Sequence, residues 1–359
     1  MIYAKVIQPS DLWIRRMAHT IVVTGATGFV GSHVLEELIQ IGHKDLHIIA
    51  ACRDRRKLIP EFTGEVREGD LRDPEYLERV LAGADIVCHC AAWTSLWGNR
   101  KASDKLFLQP SLNLLDKALE WKVKRFVFIS TTSAASPKYS ADANNPGIPR
   151  RYWPHLNNVI KIENVMRDNL HRGMSMVSLR LGLFAGERYA LGLLPMLLPR
   201  LKTRLVPWVS GGNTGMPIIS GKDIGQAVVR AAVAPGLASY EAFNIVGPEI
   251  PSTKEVINYI CDTYGYPRPW FSVPFPIAYS FAWLMERLDP LVPWDPLVTR
   301  SIIHLLEETH ASNEKARERL GYVPEIHWKE AVRTQIEAMH RDDFKHMKMQ
   351  RPEKPMSVD

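Results

Sequence analysis

Three glycines near the N-terminus follow a spacing that suits phosphate binding. Gly25, Gly28 and Gly31 form a GxxGxxG motif between a β-branched run at residues 20–24 and an apolar helical pattern. Glycine lets the backbone of a tight turn approach a pyrophosphate closely, and the helix that follows offers its first amide groups to the phosphates. A glycine-rich turn without a ligand is the alternative, but the strand–turn–helix context favours a dinucleotide-binding loop.

A basic cluster follows the second apolar run of the chain, at residues 46–52. Arg53 comes first, and two further arginines and a lysine lie within the next four residues. An acidic residue at this place holds the ribose hydroxyls of NAD, whereas an arginine meets the additional phosphate of NADP. Charge complementarity therefore predicts NADP, in its reduced form NADPH, as the cofactor, with NAD less favoured. Asp54 keeps the NAD alternative open, because its carboxylate could approach the ribose instead.

The elements that must position these motifs alternate regularly. Apolar runs at residues 20–24, 46–52, 85–92 and 124–130 are each followed by a helical pattern. Such alternation is typical of a doubly wound parallel sheet, in which right-handed crossovers bring the carboxyl ends of the strands to one crevice. We predict an α/β protein with a Rossmann-type doubly wound parallel sheet and a smaller, interleaved C-terminal α/β substrate domain.

The predicted domain organisation has four parts. Residues 1–18 form an N-terminal extension, 19–175 the NAD(P)-binding Rossmann domain, 176–340 a substrate-binding region whose strands return to the Rossmann sheet, and 341–359 a flexible tail. The extension lacks the apolar core of a signal peptide. Because no uninterrupted apolar stretch is long enough to span a bilayer, we expect no transmembrane segment.

Five motifs are distributed in order along the chain. They are TGATGFVG at 24–31, GDLRD at 69–73, HCAA at 89–92, KRFVFISTT at 124–132 and LRLGLFAG at 179–186. Their order and spacing resemble the extended short-chain dehydrogenase/reductases of the NAD(P)-dependent epimerase/dehydratase superfamily, over roughly residues 19–336. The C-terminal stretch looks most like the branch of hydroxysteroid and sterol dehydrogenases.

The resemblance implies where a cofactor would be held. The glycine loop would wrap the pyrophosphate, Asp70 and Leu71 would contact the adenine, and Ala91 and Ala92 would line the nicotinamide side. With the basic cluster and the family's lysine, the implied cofactor-binding residues are Gly25, Thr27, Gly28, Phe29, Val30, Gly31, Arg53, Asp70, Leu71, Ala91, Ala92 and Lys161.

The resemblance also implies a catalytic site, and here the sequence departs from the family. Thr131 matches the hydroxyl residue that fixes the substrate oxygen above the nicotinamide. The family's YxxxK motif supplies a tyrosine that protonates the carbonyl oxygen and a lysine that holds the ribose. Lys161 is present, but Asn157 stands four residues earlier in place of the tyrosine, and Phe107 replaces the family's asparagine. We predict Thr131, Asn157 and Lys161 as the catalytic residues of an atypical active site.

Three functions are compatible with these residues. The favoured one is an NADP-dependent carbonyl reductase or alcohol dehydrogenase that acts on an apolar, steroid-like or polyketide-like small molecule. Water, His155 or Tyr152 are further candidates to replace the missing acid. The second function is a non-catalytic NADP-binding regulator, which the loss of the tyrosine favours directly. The third is a nucleotide-sugar epimerase or dehydratase, although such enzymes usually hold NAD.

Composition excludes several other classes of protein. Apolar residues make up 46% and charged residues 23% of the 359 residues, which is ordinary for a globular chain. The net charge of +6 is spread out without a dense basic stripe, so we predict no nucleic-acid partner. Four cysteines without metal-binding spacing indicate free thiols, no metal site and a cytoplasmic location, and the family resemblance allows a homodimer.

One segment of the C-terminal half is uncharged and strongly aromatic. Residues 269–285 carry six aromatic side chains and three prolines. A core helix of the smaller domain and an apolar lid over the substrate are predicted about equally. A patch that touches a membrane surface is the third interpretation.

Overall fold

The structure, a computed structural model, describes residues 19–42, 46–189, 191–291, 296–307 and 309–341. The predicted N-terminal extension and residues 342–359 of the predicted tail lie outside the described residues. Within the described ranges the chain forms one large parallel sheet, helices on both of its faces, and a smaller group of helices and short strands.

A parallel sheet of seven strands forms the centre of the molecule. Its strands are β1 (His19–Thr24), β2 (Leu46–Cys52), β3 (Glu65–Glu68), β4 (Ile86–His89), β5 (Arg125–Thr131), β6 (Ser175–Leu181) and, later in the chain, β10 (Tyr240–Ile245). The order across the sheet is β10-β6-β5-β4-β1-β2-β3, and neighbouring strands are parallel. The strand order reverses between β1 and β4, which opens a crevice at their carboxyl ends. The predicted Rossmann-type fold class is confirmed.

Helices cover both faces of this sheet. All α-helices of the described ranges, on the sheet or elsewhere, are α1 (Phe29–Ile41), α2 (Pro74–Leu81), α3 (Arg100–Ser103), α4 (Gln109–Glu120), α5 (Pro154–Asp168), α6 (Leu193–Lys202), α7 (Gly221–Val233), α8 (Thr253–Tyr264), α9 (Phe275–Leu288), α10 (Arg300–His304), α11 (Glu314–Leu320) and α12 (Trp328–His340). One face packs on α1 and α7 through side chains such as Val34 and Val228. The other packs on α2, α4 and α5 through Leu77, Leu114 and Ile162. Because both faces are covered, the central strands are apolar along their length.

The C-terminal half contributes to the sheet and also forms a smaller apolar cluster. Outside the main sheet, β7 (Leu183–Ala185) pairs with β9 (Ile218–Ser220), and β8 (Trp208–Val209) pairs with β11 (Ser272–Val273). The helices α6, α8 and α12 pack around a separate cluster that includes Leu198, Ile260 and Val332. The strands β6 and β10 return to the main sheet. The boundaries of the predicted domains stay a prediction.

The strand predicted over residues 85–92 is shorter in the structure. It ends at His89, and the next three residues leave the sheet as a loop. The prediction extended the strand because this loop is as apolar as the strand itself. The early end matters for the site, since it exposes backbone at the edge of the crevice.

The long helix predicted after this loop is interrupted near its start. It begins at Arg100 and passes through a π-helical turn, Asp104–Leu108, before it continues as α4. Pro110 explains the wider turn, because proline has no amide proton and its ring crowds the carbonyl group four residues earlier. The turn places Phe107 in the core between this helix and the sheet.

Candidate active site

The glycine loop has the close backbone packing that its spacing predicts. Gly25 has a φ of +64°, and a Cβ atom there would lie 2.6 Å from the backbone of Ala91. A Cβ atom on Gly31 would lie 2.3 Å from the carbonyl oxygen of Gly25. Gly28 is exposed and caps α1 without a side-chain hydrogen bond, so the first amide groups of the helix face the crevice free of any side-chain cap. Such a helix N-terminus fits a pyrophosphate.

The other predicted residues of this loop divide between crevice and core. Thr27 and Phe29 are half-buried, whereas Val30 is in the core with only its backbone available to a ligand. The ring of Phe29 packs against Phe184 at 5.7 Å and Tyr189 at 4.7 Å. Phe29 therefore anchors the chain that follows β7 over the start of α1.

The basic cluster at the end of β2 leaves the guanidinium of Arg53 free. Arg53 is exposed, with no hydrogen bond or ion pair among the described residues. Asp54 instead accepts hydrogen bonds from the backbone amide and the guanidinium of Arg56, at 2.9–3.1 Å. The carboxylate of Asp54 is thus engaged by its own turn, and the guanidinium of Arg53 is available to an anion.

The predicted adenine-side residues lie beside this cluster. The amide of Gly69 donates to the carbonyl oxygen of Cys52 at 2.9 Å, which places Asp70 and Leu71 next to the end of β2. Hydrogen bonds from Arg72 lower the pKa of Asp70 to about 2, and Arg53 adds a smaller electrostatic contribution. The structure therefore brings the ends of β2 and β3 together, as a nucleotide pocket requires.

A buried histidine fixes the loop that follows β4. His89 is bonded through Nδ1 to the hydroxyl of Thr24 at 2.8 Å and through Nε2 to the hydroxyl of Ser111 at 2.9 Å. Burial lowers its pKa to about 4, so the ring is neutral. The amide of Ala91 donates to Thr24 at 3.3 Å, while Ala92 is exposed at the edge of the crevice.

The end of β5 presents two hydroxyl groups to opposite sides. The hydroxyl of Ser130 donates to the carboxylate of Glu163 at 2.7 Å inside the protein. Thr131 is half-buried, and its hydroxyl oxygen accepts the amide proton of Ser133 at 3.2 Å. An oxygen that accepts from the backbone keeps its own proton for another partner. The hydroxyl proton of Thr131 is therefore free for another partner, and the catalytic role predicted for Thr131 stays a prediction.

A buried ion pair lies directly beneath this edge. The carboxylate of Glu163 contacts the guanidinium of Arg180 at 2.6 Å and also accepts from Ser178 at 2.8 Å. Burial alone would raise the pKa of Glu163, but the hydrogen bonds from Arg180, Ser130 and Ser178 outweigh it and lower the pKa. This network joins β5, β6 and α5 and fixes the rotation of the helix.

That rotation decides where Lys161 starts on the helix. Glu163 faces the sheet, and two residues correspond to about 200° around a helix, so Lys161 starts on the opposite side. The side chain of Lys161 is accordingly exposed. The sheet-facing place one turn before Glu163 belongs to Val159, which is buried in the same apolar cluster as Phe107. The roles predicted for Lys161 stay predictions, because the YxxxK spacing alone does not fix which side of the helix faces the sheet.

Asn157 is engaged by the loop that precedes α5. Its side-chain oxygen accepts the amide proton of Arg150 at 2.7 Å, and its amide group donates to the carbonyl oxygen of the same residue at 2.9 Å. One N–H of the carboxamide remains for any other partner. The catalytic role predicted for Asn157 stays a prediction, and its observed contacts are those of a clamp on the loop.

His155 lies on the sheet-facing row of α5, two turns before Glu163. Its ring packs on Phe107 at 4.9 Å, and its Nδ1 is buried without a hydrogen-bond partner among the described residues. Burial lowers the pKa of His155 to about 4, so the imidazole is neutral at pH 7. His155 was predicted only as one of several groups that could replace the missing tyrosine. Its spacing of eight residues from a buried glutamate is the signal that singles it out.

The C-terminal half closes over the substrate side of the crevice. The Nε2 atom of His304 lies 3.0 Å from the carbonyl oxygen of Ser133, and the hydroxyl of Ser301 donates to the carbonyl oxygen of Leu96. The indole N–H of Trp97 donates to Asp289 at 3.2 Å. The loops that follow β4 and β5 are thus held by α10 and by the chain after α9.

The described part of the chain has neither a membrane-spanning helix nor a cluster of metal-binding side chains. Within these ranges, no helix is both long and apolar enough to cross a membrane. No group of three or more His, Cys, Asp or Glu side chains there is placed to hold a metal ion. The four cysteines are free thiols.

The amino-acid sequence matches a known family over most of its length. The sequence pattern of the NAD dependent epimerase/dehydratase family matches residues 21–246, more than half of the chain. The chain belongs to this family. The prediction of an extended short-chain dehydrogenase/reductase is thereby confirmed, and so is that of an NAD(P)-dependent oxidoreductase.

Individual relatives share about a quarter of their residues with this member of the epimerase/dehydratase family. A 2-alkyl-3-oxoalkanoate reductase of Stenotrophomonas maltophilia is 27% identical, over 87% of this chain and 97% of the relative. The 3beta-hydroxysteroid-dehydrogenase/decarboxylase isoform 2 of Arabidopsis thaliana is 26% identical, over 91% of this chain and 62% of the relative. Among solved structures, the crystal structure of gox2253 has a TM-score of 0.71 at 24% identity, covering 93% of this chain and 100% of that chain. The structural likeness supports the fold.

Proposed function

We propose that the protein is an NADPH-dependent reductase of a ketone on an apolar small molecule, or its reverse as an alcohol dehydrogenase. The observation that carries the cofactor choice is the free guanidinium of Arg53 beside a carboxylate, Asp54, that is already engaged by Arg56. Relatives named as a 3-oxoalkanoate reductase and a hydroxysteroid dehydrogenase support the reaction and the apolar substrate.

Different groups of the chain would bind the cofactor and the substrate oxygen. The backbone amides at Phe29 and Val30 would bind the pyrophosphate, and Arg53 would bind the additional phosphate. When bound, NADPH supplies the hydride. Thr131 would hold the carbonyl oxygen by donating its hydroxyl proton, which stabilises the negative charge that develops there.

The proton for that oxygen needs a donor other than tyrosine. We assign this role to the imidazole of His155. Its Nδ1 is buried without a hydrogen-bond partner, whereas its Nε2 is not in that state. A neutral imidazole N–H is a weak acid, but it can polarise and protonate an oxyanion, as enzymes with helix-bound neutral histidines show. Loss of an optimal general acid costs roughly 10²–10⁴ in rate, so we expect slow turnover except with electron-poor ketones.

The experiment that tests the cofactor choice is a pair of fluorescence titrations, with NADPH and with NADH. We expect NADPH to bind at least about tenfold more tightly, because a charge-assisted contact contributes roughly 1.5–3 kcal/mol. The variant Arg53→Ala should lose this preference and keep its affinity for NADH. Equal affinities in the unmodified protein would overturn the NADP assignment in favour of NAD.

The reaction is tested by NADPH oxidation with medium-chain 3-oxo esters and steroid ketones. The regulator alternative is favoured by the apolar ring of Phe107, which packs on the candidate proton donor His155 at 4.9 Å. Tight NADPH binding without turnover of any ketone would establish that alternative. NAD that stays bound through purification would instead support an epimerase, the activity in the family's name.

The predicted setting belongs to the same proposal. The free state of all four thiols supports a reducing compartment, and we propose the cytoplasm. A homodimer is proposed from the family resemblance. Light scattering of the purified protein would test the dimer, and a monomer at all concentrations would contradict it.

A further inference from the structure

One side of α9 exposes a stripe of large apolar side chains. Ile277, Phe281 and Leu284 are 60%, 49% and 45% exposed and follow the i, i+4, i+7 spacing of one helix face. Trp283, beside them, is 43% exposed. We call these four residues the α9 surface. The opposite side of α9 is the packed one, where Ala278 and Ala282 face Ile303 of α10.

Further apolar side chains project near both ends of the helix. Trp270, before β11, is 75% exposed, and its indole N–H donates to the carbonyl oxygen of Arg204 at 3.1 Å. That bond places it beside Leu205, also 75% exposed, and Leu291 after α9 is 79% exposed. Apolar side chains that are this exposed project from the protein surface. Such side chains insert into a lipid bilayer more readily than they pack against a rigid protein partner.

The exposed charges near the α9 surface are mainly basic, and the exposed acid Asp262 is paired with Arg268. The sequence from 269 to 285 contains no charged residue, and Glu286 is buried against Arg300 at 2.6 Å. Arg287, on the exposed side, lies over the ring of Trp283 at 5.4 Å. Arg204 and Lys202 are exposed near Trp270. The rim of the surface is therefore cationic, and it offers indole rings, which favour the boundary between lipid and water.

We propose that the α9 surface docks on the interface of an anionic lipid bilayer, with its apolar side chains inserted at the level of the headgroups. Buried apolar area and attraction of basic residues to anionic lipids are the two terms that drive such binding. A second copy of the chain is the less suitable occupant. A two-fold dimer through this face would bring Arg287 and the basic residues near it close to the same residues of the other copy, and like charges repel.

The inner side of α9 connects this surface to the crevice. The ring of Tyr279 lies 6.1 Å from that of Tyr152, and the guanidinium of Arg300 lies 4.6 Å above Tyr152. Docking would thus place the substrate side of the crevice near the bilayer, where an apolar substrate is concentrated. This consequence rests on the proposed function, whereas the docking itself does not.

Sedimentation of the full chain with lipid vesicles tests the proposal. The vesicles are phosphatidylcholine alone, or phosphatidylcholine with about one third phosphatidylglycerol, at low and high salt. We expect binding to the anionic vesicles that is reduced by salt and by omission of the anionic lipid. The double variant Ile277→Ser/Leu284→Ser should reduce the partition coefficient by more than about tenfold, since two inserted side chains lose their apolar transfer.

The matched control is Leu170→Ser/Leu191→Ser, in which the two replaced side chains are 45% and 62% exposed on other parts of the molecule. It should bind vesicles as the unmodified chain does. Equal thermal midpoints would show that both variants fold. The proposal is overturned if the unmodified chain does not sediment with anionic vesicles, or if the α9 variant sediments equally. It is also overturned if light scattering shows a dimer that only the α9 variant loses.

Discussion

Ser130 and Thr131 are adjacent in the chain, yet their hydroxyl groups have opposite tasks. Successive side chains of a strand point to opposite faces, so Ser130 reaches the buried Glu163 while Thr131 stays at the crevice. The inward hydroxyl helps to fix the helix, and the outward one keeps its proton for a ligand. A shift of the β5 register by one residue would exchange these two roles.

At the residue scale, Thr131→Ala should lower kcat for a reducible ketone by about 10²–10³, because one donor to the developing oxyanion is removed. Thr131→Ser, which keeps the hydroxyl, should stay within about tenfold of the unmodified enzyme. Steady-state NADPH oxidation measures both variants, and Lys329→Ala, at an exposed position of α12, is the control, with an unchanged rate expected. A Thr131→Ala variant of full activity would show that this hydroxyl does not contact the substrate.

At the element scale, two glycines in the turn from β1 into α1 have different roles. Gly31 has no room for a side chain, since a Cβ atom would collide with the backbone of Gly25 at 2.3 Å. Gly28 is exposed and has a φ of −86°, with only a 3.2 Å approach to the same oxygen. Gly31 allows the helix to pack closely on the strand, and Gly28 leaves room for the ligand to approach.

These roles give different expected outcomes for two similar variants. Gly31→Ala should lower the thermal midpoint by several degrees, because backbone must move to relieve the collision. Gly28→Ala should keep nearly the same midpoint and weaken NADPH binding by about tenfold or more, because the methyl group stands where the phosphates approach. Thermal unfolding and fluorescence titration of both variants separate the effects. Equal losses of stability would contradict the distinction.

How far the sequence predicted these elements depended on how local their signals were. The bounds of β2 follow from nearby residues, and this strand was predicted as the structure has it. The rotation of α5 depends on a bond between Glu163 and Arg180, which lies on another element. No local pattern contains that bond, so the sequence indicated the presence of a helix but not which of its sides faces the sheet. The helix α7 was missed because buried Asp223 and Gln226 obscure its apolar face.

At the scale of the whole molecule, the ion pair of Glu163 and Arg180 links stability to pH. The pKa of Glu163 is lowered in the folded protein, so its stabilising contribution is fully present above its unfolded pKa of about 4.5 and is lost as the pH falls through the folded value. Both side chains are fully buried. Removing one partner therefore leaves the other charge uncompensated across three elements of the fold.

We expect Glu163→Gln to lower the free energy of unfolding at pH 7 by about 3–5 kcal/mol. The same variant should lose less stability than the unmodified protein when the pH is lowered below about 4.5. Urea denaturation between pH 7 and pH 3 measures both effects. Glu330→Gln, at an exposed position, should match the unmodified protein throughout. A Glu163→Gln variant of unchanged stability would refute a structural role for the pair.

Among the tryptophans of the described ranges, some lie by the crevice and others by the α9 surface, and that gives the protein a built-in optical readout. Trp97 is held in the loop above the crevice, whereas Trp270 and Trp283 stand on the outer side near α9. Emission from the inner indole overlaps the absorption of a reduced nicotinamide, so energy transfer would report arrival of the cofactor. Emission from the outer indoles would shift to the blue on leaving water for lipid. One ultraviolet excitation can therefore follow two binding events in the same unlabelled sample.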